Sequence, residues 1–387
     1  MFSGAFLLYL YNGRKMPNME TVLDKIRNQA KALNRKVCLT ESDDPRNLKA
    51  AEKLVKLGYA RPVLVGCVEE IKKLAQENNV CLDGVELVDV LKTPELDRYI
   101  ATVVEIRKNK GLTPEQAREW LKDTCVFSAA MVCAGDAHGY ASCGGNPTGY
   151  AHNTAQKTKP ALQLFKVAPG NKIASSFFVM QMPDPKWGYN GVLFYADCGL
   201  NINPDADQLA EIALQTAKRF KMYTGTDPKV AMISCSTNGS AHDPIIDKVV
   251  QATAKAKALA PDLMIDGEMQ FDAATVPEIG KKKFAGSPVA GQANVLVFPD
   301  LNCGNSIYKA TERLAGATAI GPICNGLRKP FVDGSRGCSV DDIVDMAAVC
   351  GVTEWEYAAR SNRNLYDGRL PAGLSSFFME HSTGSAV

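Results

Sequence analysis

The order of short apolar runs and helical stripes near the start of the chain is the feature that most constrains its fold. Apolar residues recur at helical spacing over 20–33, and a short apolar run follows at 36–40. Apolar residues recur at helical spacing again over 48–55. A second short apolar run, 62–66, ends at a glycine, and a helix is predicted after it over 68–76. Strands that alternate with helices in this way are typical of a parallel sheet with right-handed crossovers. The pattern therefore predicts an α/β fold.

The same alternation resumes in the second half of the chain. Four strands are predicted there: 173–180, 192–196, 229–235 and 295–298. A helix is predicted from Asn203 to about Tyr223. The segment from Gly135 to Gly149 is dense in glycine and has no periodicity, so we expect a long loop there. A second polar loop is expected from Pro299 to Asn305, directly after a predicted strand.

Size and charge narrow the class of protein. At roughly 100–200 residues per domain, 387 residues predict two domains. The chain has 44 Lys and Arg against 42 Asp and Glu, and this net charge of +2 gives no field that would attract nucleic acid or an anionic membrane. The twelve cysteines form no C-x-x-C pair, and a chain of this length needs no disulfide framework. The apolar run Ala5–Tyr11 is too short to span a bilayer and lacks the charge order of a signal peptide. We therefore expect a cytoplasmic protein with reduced thiols and no nucleic-acid or membrane partner.

Several motifs in the segment Gly286–Val344 resemble those of the phosphate acetyltransferases. They are FPDLNCGN at 298–305, the RLAG–GPI stretch at 313–323, KP at 329–330 and SRGCSVDD at 335–342. The segments KVAMISCSTNGSA, APDLMIDGEMQFDAA and EIRKNKGLTPEQA are also similar to that family. The similarity extends from about Glu20 to Val352.

The resemblance implies a two-domain, three-layer α/β/α architecture related to the isocitrate and isopropylmalate dehydrogenases. One domain would comprise residues 1–168 and 323–387, the other residues 169–322, with the active site in the cleft between them. The implied reaction is reversible: acetyl-CoA and inorganic phosphate give acetyl phosphate and CoA. Coenzyme A would be a substrate, no cofactor or metal would be permanently bound, and the protein would be a homodimer.

The turn at Ser335-Arg336-Gly337 has residue types suited to this chemistry. The planar guanidinium of Arg336 matches phosphate oxygens, and the hydroxyl of Ser335 can donate a hydrogen bond to an acyl oxygen. Gly334 and Gly337 permit a close approach of the backbone. Without the resemblance, the same residues also fit an ordinary surface turn.

Asp342 matches the family aspartate that removes the thiol proton of CoA. Ser339-Val340-Asp341-Asp342 also has the form of a capping box, so Asp342 could serve only to cap a helix that begins near Ser339. Transfer of a proton from a thiol of pKa about 8.5 to an aspartate of pKa about 3.9 is unfavourable by about 4.6 pKa units, or roughly 6 kcal/mol. We therefore expect proton transfer concerted with formation of the C–S bond.

Three further residues are predicted to bind substrate on the strength of the resemblance. Arg107 matches an arginine implicated in binding the phosphates of CoA. Lys159 stands where the family usually has arginine before proline, so the charge is kept but the bidentate fork is lost. Asn305 follows a predicted strand at the sheet edge where α/β ligands bind, as does Asn302, and either amide could instead be a turn residue. The Gly135–Gly149 stretch is longer than in the family.

Other functions fit the sequence less well. A zinc site built from Cys133, His138, Cys143 and His152 matches no established ligand spacing. An oxidoreductase on the related architecture would need a dinucleotide fingerprint, and no G-x-G-x-x-G follows a predicted strand. Two alternatives stay open. The protein could be a phosphate propionyl- or butyryltransferase, since only the walls of the pocket decide the acyl chain length. It could also be a non-catalytic relative that binds CoA or acyl phosphate.

Overall fold

The computed structural model describes residues 20–145, 154–335 and 337–354. Its strands are β1 (Lys36–Leu39), β2 (Arg61–Gly66), β3 (Glu86–Asp89), β4 (Gly139–Ser142), β5 (Ser175–Gln181), β6 (Val192–Ala196), β7 (Lys229–Ile233), β8 (Met264–Met269), β9 (Val295–Val297), β10 (Thr318–Asn325) and β11 (Phe331–Asp333). Its helices are α1 (Val22–Leu33), α2 (Pro45–Leu57), α3 (Val68–Glu77), α4 (Leu96–Arg107), α5 (Pro114–Trp120), α6 (Thr124–Ala134), α7 (Thr154–Leu164), α8 (Ala206–Thr224), α9 (Pro244–Leu259), α10 (Phe271–Thr275), α11 (Pro277–Lys283), α12 (Leu301–Ala315) and α13 (Val340–Val352).

The strands form one 11-stranded sheet in the order β3-β2-β1-β4-β11-β10-β5-β6-β9-β7-β8. The outer parts are parallel, as the sequence pattern predicts. The centre differs, because β10 pairs antiparallel with both β11 and β5, and β5 pairs antiparallel with β6. The sheet is therefore mixed, with its parallel halves joined through antiparallel strands.

Helices cover both faces of the sheet, which gives the expected three-layer α/β/α sandwich. On one face a continuous apolar cluster lies beneath α1, α2, α8, α9 and α13. On the other face the core is split into two clusters, one under α4 to α7 and one under α10 and α12. The interruption falls over the central strands. Side chains on that stretch of the sheet therefore border a cleft instead of a packed helix.

Local signals account for most of the helix boundaries. Thr21 with Asp24, Thr113 with Gln116, and Ser339 with Asp342 each form a capping box at the start of a helix. Asp205 caps α8, so that helix starts at Ala206, two residues after the predicted Asn203-Pro204 opening.

Two predicted loops are partly wrong. The glycine-dense stretch 135–149 contains β4, a buried strand between β1 and β11, whose backbone is satisfied by pairing on both sides. Residues 146–149 lie outside the described part of the chain. The polar loop at 299–305 is largely helix, because the Asp300 side chain accepts a hydrogen bond from the Cys303 N–H and caps α12 at Leu301. Within the described residues, no helix is both long and apolar enough to cross a bilayer.

Candidate active site

A cleft of about 380 Å³ lies where the core of the second face is interrupted. One wall comes from α7 and from the residues that end β11 and follow it, and the other comes from β5, α12 and the residues after β6. Its lining residues are Thr154, Lys157, Phe178, Cys198, Gly199, Asn305, Tyr308, Lys309, Pro322, Asp333, Gly334 and Ser335. β4 and β11 are parallel neighbours, so their carboxyl ends meet at this edge of the sheet. Ligands of α/β proteins bind at such edges.

The turn that follows β11 holds Ser335 at the cleft. The Gly334 N–H donates to the Ser142 carbonyl oxygen at 2.8 Å, which anchors the turn to the end of β4. The Ser335 Oγ accepts a hydrogen bond from the Gly337 N–H at 3.3 Å, and this leaves the hydroxyl proton available to a ligand. A Cβ on Gly334 would lie 2.8 Å from the Cys143 Sγ, so this position requires glycine. Arg336 lies outside the described residues.

Asp342 forms the capping box at the start of α13 and, unlike Ser335, does not line the cleft. The Ser339 N–H donates to Asp342 Oδ2 at 2.8 Å, and the Asp342 N–H donates to Ser339 Oγ at 3.1 Å. Oδ1 of Asp342 makes no hydrogen bond to a described residue. The carboxylate is thus oriented by one oxygen while the other can still accept a proton. Cys338, just before this helix, is buried, and burial raises the pKa of its thiol to about 11, which makes it an unreactive cysteine.

Asn305 lies in the second turn of α12 and lines the cleft. Its Nδ2 donates one hydrogen bond to the Cys198 carbonyl oxygen at 3.2 Å, which leaves the second N–H of the amide available to a ligand. The helix approaches this backbone closely, because a Cβ on Gly304 would collide with the carbonyl oxygen of Asp197. Asn302 is exposed and does not line the cleft.

An aromatic pair forms the apolar wall of the cleft. The rings of Phe178 and Tyr308 stack with centroids 4.0 Å apart at an interplanar angle of 19°. The exposed Lys309 places its ammonium 5.2 Å from the centroid of the Tyr308 ring and also lines the cleft. The cleft therefore combines an apolar wall with a cation at its mouth, an arrangement suited to a small acyl group that carries a phosphate.

Arg107 and Lys159 do not line this cleft. Arg107 ends α4, where its guanidinium lies 6.0 Å from the centroid of the Trp120 ring. Lys159 is exposed on α7, two residues beyond the buried Lys157. Their predicted contacts with CoA phosphates stay predictions.

A buried ionic cluster under the cleft escaped the sequence interpretation. Lys157 is 1% exposed, Asp333 2% and Glu41 3%. The Lys157 Nζ lies 3.5 Å from Asp333 Oδ1 and 4.0 Å from Glu41 Oε1. Two features of the sequence could have drawn attention to this cluster. Lys157 lies two residues before Lys159, and Asp333 ends an apolar strand directly before the Gly334-Ser335 turn. Neither reveals burial without the fold.

A larger cleft of about 750 Å³ lies at the carboxyl ends of β1 and β2. Its charged lining residues are mostly acidic: Glu41, Asp43, Glu70, Glu77 and Asp123 against Lys73 and Lys122. Such a surface repels phosphate groups, and neither Ser335 nor Asp342, the predicted catalytic residues that the structure describes, lines it. The smaller cleft is the better candidate for the active site.

The described residues show no convergence of the zinc ligands considered above. The Cys133 thiol points to the Leu164 carbonyl, the His138 ring to the Thr353 carbonyl, and the Cys143 thiol to Met346, while His152 lies outside the described residues. One surface group, Cys67, Glu69 and Asp89, has metal-compatible spacing, but Lys92 already pairs with Glu69.

Comparison with known proteins agrees with this geometry. The family model described as "Phosphate acetyl/butaryl transferase" matches residues 21–350. The phosphate acetyltransferase of Acetivibrio thermocellus is 49% identical over 330 residues, which cover 85% of this chain and 97% of that protein. The phosphate acetyltransferase of Thermoanaerobacterium thermosaccharolyticum is 47% identical, with 86% of this chain and 99% of that protein covered. A phosphotransacetylase structure from Streptococcus pyogenes superposes with a TM-score of 0.78 at 38% identity, covering 87% of this chain and 98% of that one. The chain is a member of the phosphate acetyl/butaryl transferase family.

Proposed function

We propose that the protein is a phosphate acetyltransferase that moves an acetyl group reversibly between CoA and inorganic phosphate in the cleft between α7 and α12. The observation that carries the proposal is the presence of Ser335 and Asn305, from two distant family motifs, on the lining of one cleft. The names of the full-length relatives support the same reaction.

The cleft also supports the proposed division into two domains. Its lining residues from α7 and the β11 turn belong to the segments 1–168 and 323–387, and those from β5, α12 and Pro322 belong to 169–322. The boundary between 322 and 323 falls within β10, a central strand of the sheet.

We assign the chemical roles as follows. The hydroxyl of Ser335 donates a hydrogen bond to the acyl oxygen, and Arg336 binds the phosphate. Asn305 and Lys309 add a neutral donor and a cation on the opposite wall. Asp342 accepts the thiol proton of CoA through Oδ1 as the C–S bond forms. Arg107 and Lys159 bind the phosphates of CoA.

Acetyl is the proposed acyl group. The full-length relatives are named phosphate acetyltransferases, and the stacked rings of Phe178 and Tyr308 offer a small acyl group an apolar wall. Each methylene that does not fit costs about 1–3 kcal/mol of selectivity. Propionyl and butyryl transfer are the alternatives that the assay must separate.

The proposal is tested by following acetyl-CoA formation from acetyl phosphate and CoA, with propionyl and butyryl phosphates as competitors. Arg336→Ala should lower kcat/KM a hundredfold or more, from about 2.7 kcal/mol of lost transition-state stabilisation. Arg328→Ala is the matched control, since Arg328 is exposed and does not line the cleft. No acetyl-CoA from the unmodified protein, or equal rates for both variants, would refute the proposal.

We also propose that the enzyme is a cytoplasmic homodimer with no permanently bound cofactor. The homodimer and the absence of a permanent cofactor are what the resemblance to the phosphate acetyltransferases implies. Light scattering coupled to size-exclusion chromatography decides between a mass near 41.8 kDa and one twice as large.

A further inference from the structure

One oxygen of Asp333 is buried at the cleft without a hydrogen-bond partner among the described residues. Asp333 ends β11, is 2% exposed and lines the cleft together with Ser335, two residues further on. Its Oδ1 makes no hydrogen bond to any residue in the described ranges. A buried acceptor left unpaired is costly and marks a site where a ligand or a proton completes the bonding.

The Lys157 ammonium lies near the carboxyl groups of Asp333 and Glu41 but makes no hydrogen bond to Asp333 Oδ1. Its ammonium has three protons, and they go to the carbonyl oxygens of Ser142, Gly144 and Gly334 at 3.4, 3.1 and 3.2 Å. The 3.5 Å separation from Asp333 Oδ1 is an ion-pair distance, longer than a charged hydrogen bond. Lys157 therefore fixes the backbone at the ends of β4 and β11, and no described residue donates a hydrogen bond to Asp333 Oδ1.

The groups around Asp333 favour a proton on its carboxyl. Burial raises the pKa of Asp333 to about 7; Lys157 and a hydrogen bond from the Thr154 side chain oppose the rise, and Glu41 adds to it. The other titratable groups nearby stay neutral, because burial raises the pKa values of Cys143 and Cys324, and of Tyr140, well above their usual ranges. Lys309 is the cation on the opposite wall of the cleft.

The proposed reaction has a proton requirement that Asp342 does not meet. When the CoA thiol attacks acetyl phosphate, the phosphate dianion would leave as a trianion, which is far more basic than a carboxylate and a poor leaving group. An acid beside the departing oxygen removes this obstacle.

We propose that Asp333 is a catalytic residue that donates a proton to the phosphate oxygen as it leaves the acetyl carbon. The inference rests on the proposed function. In this direction the C–S bond forms and the C–O bond breaks, with the thiol proton passing to Asp342 and the Asp333 proton to the phosphate, which leaves as hydrogen phosphate. Solvent then reprotonates Asp333 and deprotonates Asp342. In the reverse direction, Asp333 removes the proton of hydrogen phosphate as its oxygen attacks acetyl-CoA.

The test compares the pH dependence of kcat for acetyl-CoA formation in the unmodified enzyme and in Asp333→Asn. The acid must be protonated, so kcat of the unmodified enzyme should fall as pH rises through a value at or above about 7, because bound phosphate raises the pKa of a neighbouring carboxyl further. Asp333→Asn should lose about a hundredfold or more in kcat near pH 6 and should lack the falling limb.

Asp345→Asn is the matched control. Asp345 is also a buried aspartate, paired with Arg27 at 2.7 Å, but it does not line the cleft. This variant should lose stability and keep the shape of the unmodified pH profile, with kcat per folded molecule within a few fold.

Each outcome decides the inference. A flat profile in the unmodified enzyme refutes the role of Asp333 without any variant, even if Asp333→Asn does not fold. An Asp333→Asn enzyme that keeps its rate or its falling limb also refutes it. Either result leaves the proposed function standing as long as the unmodified protein makes acetyl-CoA. Absence of acetyl-CoA altogether refutes the proposed function instead.

Discussion

Asp342 is assigned two roles, helix cap and base, and a pair of variants at the start of α13 separates them. In the unmodified protein the Ser339 N–H donates to Asp342 Oδ2 at 2.8 Å. Asp342→Asn keeps an amide oxygen that can accept this hydrogen bond. It removes the negative charge from the helix N-terminus, which costs about 0.3–1 kcal/mol. Ser339→Ala removes the Oγ that accepts from the Asp342 N–H at 3.1 Å and costs about 1 kcal/mol. That loss corresponds to a fall in Tm of about 2 °C.

Asp342→Asn should therefore lose mainly turnover, and Ser339→Ala should lose mainly stability. Asp342→Asn should lose about a hundredfold or more in kcat with little change in Tm, because a positioned base contributes about 10²–10⁴ to the rate. Ser339→Ala should show the larger fall in Tm and keep its turnover per folded molecule within a few fold. The assay combines calorimetry with acetyl-CoA formation normalised to folded protein. If Asp342→Asn melts well below Ser339→Ala and still turns over normally, Asp342 is only a cap.

Three further predictions concern three residues, two at the site and one, His138, at the opposite end of β4. Lys157→Met should destabilise the protein by about 3–5 kcal/mol in urea unfolding, because it removes the buried ammonium that faces Glu41 and donates to the carbonyl oxygens of Ser142, Gly144 and Gly334; an unchanged midpoint would show that the cation is dispensable. Burial lowers the pKa of His138 to about 4, so the unfolded chain takes up its proton first and stability should fall as pH drops from about 6.5 to 4. His138→Gln should flatten that slope, and a slope identical to that of the unmodified protein would contradict the assignment. Gly334→Ala should lower both Tm and kcat, since its Cβ would lie 2.8 Å from the Cys143 Sγ; normal activity would mean that the turn tolerates displacement.

Elements with a local signal were predictable from the sequence. The strand predicted at 192–196 is β6, Val192–Ala196, and the capping motif at Ser339 does start α13. β4 was missed, because Gly139–Ser142 has a single large residue, Tyr140, among small ones and owes its conformation to pairing with β1 and β11. Pairing between distant segments leaves no local pattern.

The site was predictable to the extent that its chemistry lies in contiguous motifs. Ser335 and Asn305 were singled out from such motifs, and both line the cleft. Lys157 and Asp333 were not, because a lysine in a polar stretch and an aspartate after a short apolar run usually face solvent. Their burial results from the meeting of β4, β11 and α7, which only the assembled sheet reveals.

The most direct test of the proposed site is a crystal structure with acetyl phosphate bound. We predict density for the phosphate in the cleft between α7 and α12, within hydrogen-bond distance of the Ser335 hydroxyl and with the acetyl group against the Phe178–Tyr308 rings. Density in the acidic cleft at the ends of β1 and β2, or on the outer surface, would contradict the location proposed for the chemistry.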